Sequence, residues 1–567
     1  MNVQASGKLQ FGTRLALPAV LFLILGVLIV LPLLTLVYAS LITDAPFSGN
    51  VYQWTLSNYV SIWTPEMMRA LWNTAAVSVV GTAIALSIGT ALAWLSARSD
   101  IPCKPLVHLA GMMPLFVSLI VAALCWSLLG SGRSGYLNIL LNAIDAPFRV
   151  NVQSLGGIIF VHGIYYVSFP FLYVYSALTL VHPDLEEAAS VNGASLWRML
   201  TRVTLPLVKP ALVGSALLLI VVMAEEFPVP QILGGPRGIE TLSIRIFNLM
   251  HQVPASPNQA SAVAMVLTAF VAVLIYFQRR LLAGRDYQTV SGKGLQTRTF
   301  SLGKLRWVAF AFVCLYIAIA IVLPLMALVL SAFRNSLYIP NIASFVDWSQ
   351  YGTRHLKEAL SANGVVDSLW NSLICAVCTA GLGGALYFVL SYTVYRTDAW
   401  GRRALEFLTM VPLALPALVM GLGILWTWAN IPLPVYGTLT ILIIAYLGRF
   451  APQGFRAISS SMLQIHGELE EAAMVAGATK TQAVRRIMWP LMRAGVAAAM
   501  VILFVLALRE LTASLFLYTT DTRVLSIVIY EQYENGGWSV VASLSLIYTI
   551  VLVSLNLLGR RWMRAAA

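Results

Sequence analysis

Long apolar runs, each bounded by short polar or basic stretches, recur from one end of the chain to the other. Runs of about 18 residues or more are the pattern of helices that cross a bilayer. Spans are expected near 15–41, 70–97, 106–130, 155–180, 208–233 and 259–280. A basic, polar stretch from Arg279 to Arg306 follows. Further spans are expected near 305–332, 367–395, 404–429, 434–459, 491–518 and 538–559. Strands of a membrane barrel would be short and alternating, so these continuous runs exclude one. The fold class expected is therefore all-α: a polytopic membrane protein of about 12 transmembrane helices in two parallel six-helix repeats.

Composition agrees with the pattern. Hydrophobic residues make up 59% of the 567 and charged residues only 10%, well under the usual share of a soluble domain. The net charge of +13 does not indicate nucleic acid. Most Lys and Arg sit beside alternate ends of the predicted spans, as cytoplasmic loops of membrane proteins require. Arg98, Lys104, Arg198, Arg202, the 279–306 stretch, Arg402, Arg403, Arg485, Arg486, Arg560 and Arg561 all fall on one side. This bias predicts a multi-pass protein of the bacterial cytoplasmic (inner) membrane with both termini in the cytoplasm, and the lipid bilayer as its surroundings. The run from Leu15 to Leu41 is too long for a signal-peptide core and reads as an uncleaved first span. The five cysteines suggest no disulfide framework, and Cys375 and Cys378 lie within an apolar run where a packed helix face is expected rather than a metal or redox site.

The chain repeats itself. Val30-Leu31-Pro32-Leu33 returns as Val322-Leu323-Pro324-Leu325, Leu71-Trp72-Asn73-Thr74 as Leu369-Trp370-Asn371-Ser372, and Pro114 as Pro412. Leu242-Ser243-Ile244 returns as Leu525-Ser526-Ile527. An even number of crossings per repeat gives both the same orientation. Their expected relation is a pseudo-two-fold axis along the membrane normal, with a pathway between them. The expected organisation is a first permease half at 1–282, a cytoplasmic linker at 283–304 and a second half at 305–567.

The closest repeat lies in the loop after the fourth span of each half, at 183–206 and 467–490. Glu186-Glu187-Ala188-Ala189 through Gly193-Ala194-Ser195 matches Glu470-Glu471-Ala472-Ala473 through Gly477-Ala478-Thr479, with His182 matching His466 and Pro206 matching Pro490. Loops usually drift, so a gap-free match there asks for a reason. The stretch reads as helix, turn, helix. Asp184 can cap the first helix with Glu187 as its capping-box partner. The paired alanines leave a low surface that another protein can approach. Gly193 or Gly477 can take the left-handed conformation that ends the helix. Pro206 or Pro490 opens the next span. Two equivalent knobs imply a partner with two equivalent sockets. His182 and His466 belong to separate loops without further ligands, so no metal site is read there.

These two stretches resemble the EAA loop of binding-protein-dependent ABC importer permeases, whose pattern is Glu-Ala-Ala, three residues, Gly, then a longer gap to Leu-Pro. The first copy fits through Leu205-Pro206; the second has Trp489 before Pro490. The resemblance covers nearly the whole chain and is nearest to the fused, two-domain permeases of ferric-iron importers, relatives of thiamine and phosphonate permeases. Ser461-Met462-Leu463-Gln464-Ile465 and Arg133-Ser134-Gly135 share that character. The resemblance implies that Glu187, Ala188, Gly193, Glu471, Ala472 and Gly477 dock onto two copies of an ABC ATPase subunit. It also implies that an extracytoplasmic substrate-binding protein meets the opposite face. The chain lacks a GxxxxGK[ST] phosphate loop, so ATP hydrolysis is expected on a separate subunit, and no cofactor or catalytic group is assigned. An ion-gradient-driven secondary transporter is the main rival reading, although that class favours inverted repeats and ionisable groups at the midplane.

Four charges interrupt the apolar pattern. Glu225 and Glu226 end the fifth run, Arg509 and Glu510 end the eleventh, and Glu226 and Glu510 share the spacing of the EAA loops. A charge at mid-membrane costs about 2.5–3.5 kcal/mol on insertion scales. Glu226 lies 20 residues past Pro206, about 30 Å along a helix, which places it near the outer mouth. Two readings stand: charges that anchor helix ends at the interface, or a symmetric set that lines a gate or substrate vestibule. Carboxylates suit a hard cation such as Fe³⁺, and Arg509 suits an anion or a gate-closing ion pair. Trp54, Trp63, Trp348 and Tyr351 in the outer loops read as interfacial anchors.

Overall fold

The computed structural model describes residues 16–44, 52–132, 134–180, 184–282, 299–336, 339, 341–362 and 364–566. Every regular element among them is a helix. Nine are long and apolar enough to cross a membrane: α1 (Ala16–Ser40), α2 (Pro65–Arg98), α5 (Leu155–Thr179), α7 (Trp197–Glu225), α10 (Pro257–Gln278), α11 (Leu305–Phe333), α12 (Val365–Arg396), α18 (Lys480–Leu508) and α20 (Trp538–Leu555). Two further spans are bent pairs: α3 (Lys104–Phe116) with α4 (Leu119–Gly130), turned by 100°, and α13 (Arg402–Ala414) with α14 (Ala417–Ala429), turned by 111°. Between these lie α6 (Asp184–Val191), α8 (Pro228–Gly234), α9 (Leu242–His251), α15 (Leu439–Arg449), α16 (Ala451–Leu463), α17 (Glu468–Val475) and α19 (Leu525–Glu534).

The count among the described residues is thus nine to eleven spans, against about 12 expected. The missing one is 434–459, which folds as α15 and α16 with a break at Phe450. Each bend follows a 3-10 turn that begins beside Pro114 or Pro412, the matched prolines. A proline removes one backbone donor and blocks the preceding turn, so these helices cannot run on straight. The same cause explains four π-helical turns. Gly26–Val30, Leu200–Thr204, Ala318–Val322 and Val484–Met488 each immediately precede a Leu-Pro or Trp-Pro step. Widening the helix there accommodates a ring that would otherwise strike the carbonyl four residues back. Pro206 therefore does not open a span, as the sequence suggested. It sits inside the continuous helix Trp197–Glu225.

The first span of each half packs across onto the other half. α1 lies against α14 and α15. A Cβ on Gly423 would meet the Pro32 carbonyl oxygen at 2.5 Å, so only glycine permits this approach. Thr35 Oγ1 and Thr427 Oγ1 are 2.8 Å apart across the same contact. In return α11 packs on α4, with the Tyr316 hydroxyl donating to the Ile164 carbonyl at 2.9 Å and Tyr136 and Ser331 joined at 2.7 Å. Both crossings bury backbone and hydroxyl groups against partners from the other half, which ties the two sets of helices into one bundle.

Candidate functional site

Two clusters of charged side chains are buried in the bundle. The first is at the base of the EAA loops. α6 is a short helix that ends at Gly193, whose φ of +76° is left-handed; α17 ends in the same way at Gly477, φ +91°. Backbone bonds close both ends alike, Ala194 N to Ala189 O and Ala478 N to Ala473 O, each at 3.0 Å. These are the Gly-dependent helix stops that the motif calls for. A capping box forms at Thr479 and Gln482, at the start of the next helix. The side chains of Asp184 and Glu187 and the whole of His182 lie outside the described residues.

Both short helices are pinned from beneath by an ion pair. Arg98, the last residue of α2, places Nε 3.3 Å from Glu186 Oε2, with both side chains buried. Arg98 also donates to the Leu178 carbonyl at 2.8 Å, and Thr204 Oγ1 donates to Glu186 Oε1 at 2.7 Å. In the second half Arg396, the last residue of α12, sits 3.8 Å from Glu470, which accepts a bond from the Tyr392 hydroxyl at 2.9 Å. Arg396 further donates to the Met462 and Ile465 carbonyls. The first glutamate of each Glu-Glu pair thus holds its helix down. On top, Ala188, Gly193, Glu471, Ala472 and Gly477 are exposed. Val191 and Val475, equivalent in the two copies, are 81% and 90% exposed. The two copies thus leave an apolar side chain exposed at the same position.

Both knobs lie at one end of the bundle. The backbone of Arg98 and Asp100 pairs with Phe300, and Asp100 accepts bonds from the Leu302 amide at 2.8 Å and Ser301 Oγ at 3.0 Å. The Leu302 amide holds the Asp100 carboxyl below its ordinary pKa. α11 begins there, crosses, and α12 crosses back to deliver Arg396 beside Glu470.

The second cluster is in the middle of the bundle and joins the halves. Glu225 ends α7 and Glu226 follows it. Arg449 Nη2 lies 2.8 Å from Glu225 Oε1, while its Nη1 donates to the Leu415 carbonyl at 2.9 Å at the bend between α13 and α14. Glu226 Oε2 accepts from the Val229 amide at 3.2 Å and is 3.3 Å from His162 Nε2. Glu510 Oε1 accepts from the Ala513 amide at 2.9 Å. Arg509 Nη1 donates to the Leu115 carbonyl at 2.7 Å, at the other bend. A helix break strands carbonyls without intrahelical partners, and the two arginines satisfy one at each bend.

The depth differs from the sequence expectation. His162 packs against Gly81, near the middle of the 34-residue α2, so its partner Glu226 lies well inside rather than at an outer mouth. Counting from Pro206 misled because Pro206 lies inside α7 and does not mark where the helix enters the membrane, and because the chain does not exit after Glu226. It turns into α8 and α9 and reaches α10 only at Pro257. Of the four charges singled out, Glu225 is paired with Arg449, Glu226 lies beside His162, Arg509 reaches the bend at Leu115 and Glu510 holds the Ala513 amide. Arg449, His162, Arg98, Arg396, Glu186 and Glu470 were missed. An arginine inside the expected span 434–459 was a sufficient sign for Arg449. Arg98 and Arg396 share the spacing of the Trp-Asn repeat, and Glu186 and Glu470 that of the EAA repeat. Among the described residues no group of three His, Cys, Asp or Glu side chains forms a ready metal site.

A bundle of long apolar helices, with a duplicated knob at one end and buried charges joining its halves, defines a multi-pass membrane protein of the transport class. A family model for binding-protein-dependent transport system inner membrane components matches residues 81–285 and 388–567. The chain belongs to that family, and is accordingly a multi-pass inner-membrane protein. It is 27% identical over 433 residues to the ferric transport system permease protein FbpB of Actinobacillus pleuropneumoniae, covering 75% of this chain and 61% of that protein. It is 28% identical over 479 residues to the putative ferric transport system permease protein FbpB 1 of Haemophilus influenzae, covering 82% and 73%. The chain therefore matches less than two thirds of the length of the first of these relatives. Among solved structures, a bacterial alginate ABC transporter in complex with an alginate pentasaccharide-bound periplasmic protein has a chain 20% identical, with a TM-score of 0.35, covering 44% of this chain and 88% of that one.

Proposed function

We propose that this chain is the membrane-spanning permease of an ATP-driven, binding-protein-dependent importer of ferric iron. It comprises two permease halves, 1–282 and 305–567, joined by a cytoplasmic linker, with both termini in the cytoplasm. Two copies of an ABC ATPase subunit dock on the knobs through Glu187, Ala188, Gly193, Glu471, Ala472 and Gly477. A substrate-binding protein delivers its cargo to the opposite face. Closure of the ATPase pair pushes on both knobs at once and turns the halves against each other. Glu225, Glu226, Arg509 and Glu510 line the pathway between them.

One observation carries this reading: each knob exposes a valine and a small-residue surface above while a buried ion pair fixes it to a long spanning helix below. The same exposed valine beside the same small residues in both copies supports one partner surface used twice. A rigid link from the knob to α2 or α12 is what lets force at the surface move the bundle. The ferric substrate is supported by the two iron permease relatives and by the acidic character of the central cluster.

The test is uptake of radiolabelled iron by cells or proteoliposomes carrying the chain with its ATPase and binding protein. Uptake is expected to need ATP and to fail in Val191→Asp/Val475→Asp, with normal membrane levels of the chain but lost co-purification of the ATPase. Uptake that survives ATP depletion and collapses with an uncoupler would refute the proposal.

A further inference from the structure

Beside the first knob, α2, α5, α7 and the start of α11 enclose a groove of about 910 Å³, lined mostly by apolar side chains. Trp197, Leu305 and Val308 are exposed along it. The groove starts at the end of the bundle that carries the knobs, because Leu302 in its wall is clasped to Asp100 and Thr204 in its wall is bonded to Glu186. From Leu200 to Leu212 it follows α7 for about 18 Å, close to the hydrocarbon depth of one leaflet, about 15 Å.

The same place in the second half is taken up by protein. At the repeat spacings Thr90 corresponds to Phe388 and Leu205 to Trp489, and those two rings meet edge to face with centroids 5.5 Å apart. Trp94 corresponds to Tyr392, whose hydroxyl braces Glu470 directly. In the first half Thr90, Leu205 and Trp94 all line the open groove.

The knob end of the groove is basic. Arg198 adjoins Trp197, Lys304 adjoins Leu305, and Arg202 and Arg306 follow; all four are exposed. Of the acids at this end, Glu186 is paired with Arg98, and Asp100 is engaged by the Leu302 amide and Ser301. An apolar groove one leaflet deep beneath a cluster of exposed cations matches a lipid with apolar tails and a negative head.

We propose that this groove binds an anionic phospholipid of the cytoplasmic leaflet, with its acyl chains between α2, α7 and α11 and its phosphate at Arg198 and Lys304. The leaflet rests on the proposed orientation, and the consequence for coupling rests on the proposed ATPase docking; the binding itself rests on neither. The lipid acts as a wedge beside the first knob. Two lining residues hold the buried post: Thr204 donates to Glu186, and the Leu178 carbonyl accepts from Arg98. A filled groove keeps α5 and α7 in place against α2, and the first knob stays rigid. Phe388 and Trp489 do the same for the second knob from within the chain. Coupling through the first knob therefore depends on the lipid composition of the membrane, and coupling through the second does not.

The experiment is native mass spectrometry of the full chain released from nanodiscs of mixed phosphatidylglycerol and phosphatidylcholine. Wild type is expected to retain phosphatidylglycerol in preference to phosphatidylcholine. Arg198→Gln/Lys304→Gln should weaken that preference by about twentyfold, at about fivefold for each cation beside a lipid head. Thr90→Phe/Leu205→Trp, which copies the ring pair of the second half, should lose the retained lipid. Hydrogen exchange gives a second reading: phosphatidylglycerol should slow the amides of 184–204 in wild type, leave 468–488 unchanged, and have no effect in the filled variant. If the filled variant does not fold, a diazirine-bearing residue placed at Ser87, which lines the groove, should cross-link to phospholipid. Equal retention of the two lipids by wild type, or a preference unchanged in the filled variant, overturns the proposal. Cross-linking of position 87 to residues 283–298 also overturns it, because the chain's own segment would then be the occupant. An error in the orientation shows separately, as reaction of the exposed Cys103 with an impermeant maleimide added outside cells.

Discussion

Replacing Arg98 by Gln removes the post beneath the first knob, and the structure sets the size of the effect. Both partners of the Arg98–Glu186 pair are buried, at 1% and 0% side-chain exposure. Water cannot take over the charge of the stranded glutamate, so the loss is expected at about 3–5 kcal/mol. Thr204 would still donate one bond to it, which places the outcome toward the lower bound. At Arg396 the separation is 3.8 Å, the side chains are 13% and 10% exposed, and the Tyr392 hydroxyl already serves Glu470. Arg396→Gln should therefore cost less, about 1–3 kcal/mol. Hydrogen exchange of the full chain, bound to its ATPase, reads these values locally. Amides within 184–204 should exchange about a hundredfold faster or more in Arg98→Gln, with 468–488 unaffected, since each 1.4 kcal/mol is worth about a factor of ten. Arg98→Gln/Glu186→Gln should recover at least about 1 kcal/mol relative to the sum of the single variants, because it strands no charge. Coupling should fall in step: ATPase turnover continues while uptake drops. An Arg98→Gln variant with unchanged exchange in 184–204, or with a smaller effect than Arg396→Gln, would refute the idea that the buried pair transmits force.

Gly193→Val and Gly477→Val force β-branched residues into left-handed backbone, at about 1–2 kcal/mol each by the chirality cost; loss of ATPase co-purification with unchanged membrane insertion checks this. Gly423→Leu drives a side chain into the Pro32 carbonyl, which a Cβ alone would meet at 2.5 Å; the expected cost of about 1–3 kcal/mol should appear as a lower melting temperature in detergent, whereas Gly381→Leu, in open space, should have little effect. The Asp100 clasp on Leu302 is acid-sensitive. Its carboxyl is depressed below the ordinary 3.8 in the folded chain, so the contact's contribution is complete above that value and is lost as pH falls through the folded one. Pepsin cleavage near 299–302 should therefore rise at the acid end for the native chain, while Asp100→Asn is cleaved readily throughout; identical acid profiles would refute the clasp.

The spanning helices were legible because a bilayer demands long apolar runs, and the knobs because a gap-free repeat in two loops is hard to hide. What escaped was geometry that depends on where a helix starts and stops. Glu225-Glu226 and Pro228 signalled the end of α7, but not that the chain goes on into α8 and α9 inside the bundle. The run 434–459 carries Arg449 and Pro452 at the break, but the apolar stretches on either side read together as one span. The depth of Glu226 was misjudged for the same reason: a ruler laid along one helix needs a known origin, and Pro206 proved to be an interior residue. Arg98 and Glu186 could have been matched only by noticing that two different repeat spacings meet at one place, one carried by the spanning helix and one by the loop.

The asymmetry of the central charges follows from symmetry itself. In a homodimer with a two-fold axis, a residue that meets another across the interface is met by it in return. A carboxylate opposite an arginine would then occur twice, and the charges around the axis would balance in pairs. Fusion of two halves in one chain removes that constraint. The shell has kept its duplicate features where duplicate partners are proposed: both Gly turns, both exposed valines, both ion-paired glutamates. The centre, where a single pathway is proposed, keeps the matched amide bonds of Glu226 and Glu510 but not a second ion pair. Glu225 faces Arg449, while the equivalent pair would be Arg509 facing Tyr165, and Arg509 instead holds the bend at Leu115. A single closing contact on the axis can be opened once per cycle by a rotation driven from both knobs, and a matched second contact would add a barrier without adding a site. On this argument Glu225→Arg/Arg449→Glu, which reverses the pair but keeps its sum, should retain the fold and the closed arrangement. It should lose uptake nonetheless, because a carboxylate at position 449 cannot donate to the Leu415 carbonyl as Arg449 does, and the arginine then stays fixed beside Glu226. Full uptake by the reversed pair would mean that the contact only holds the halves together.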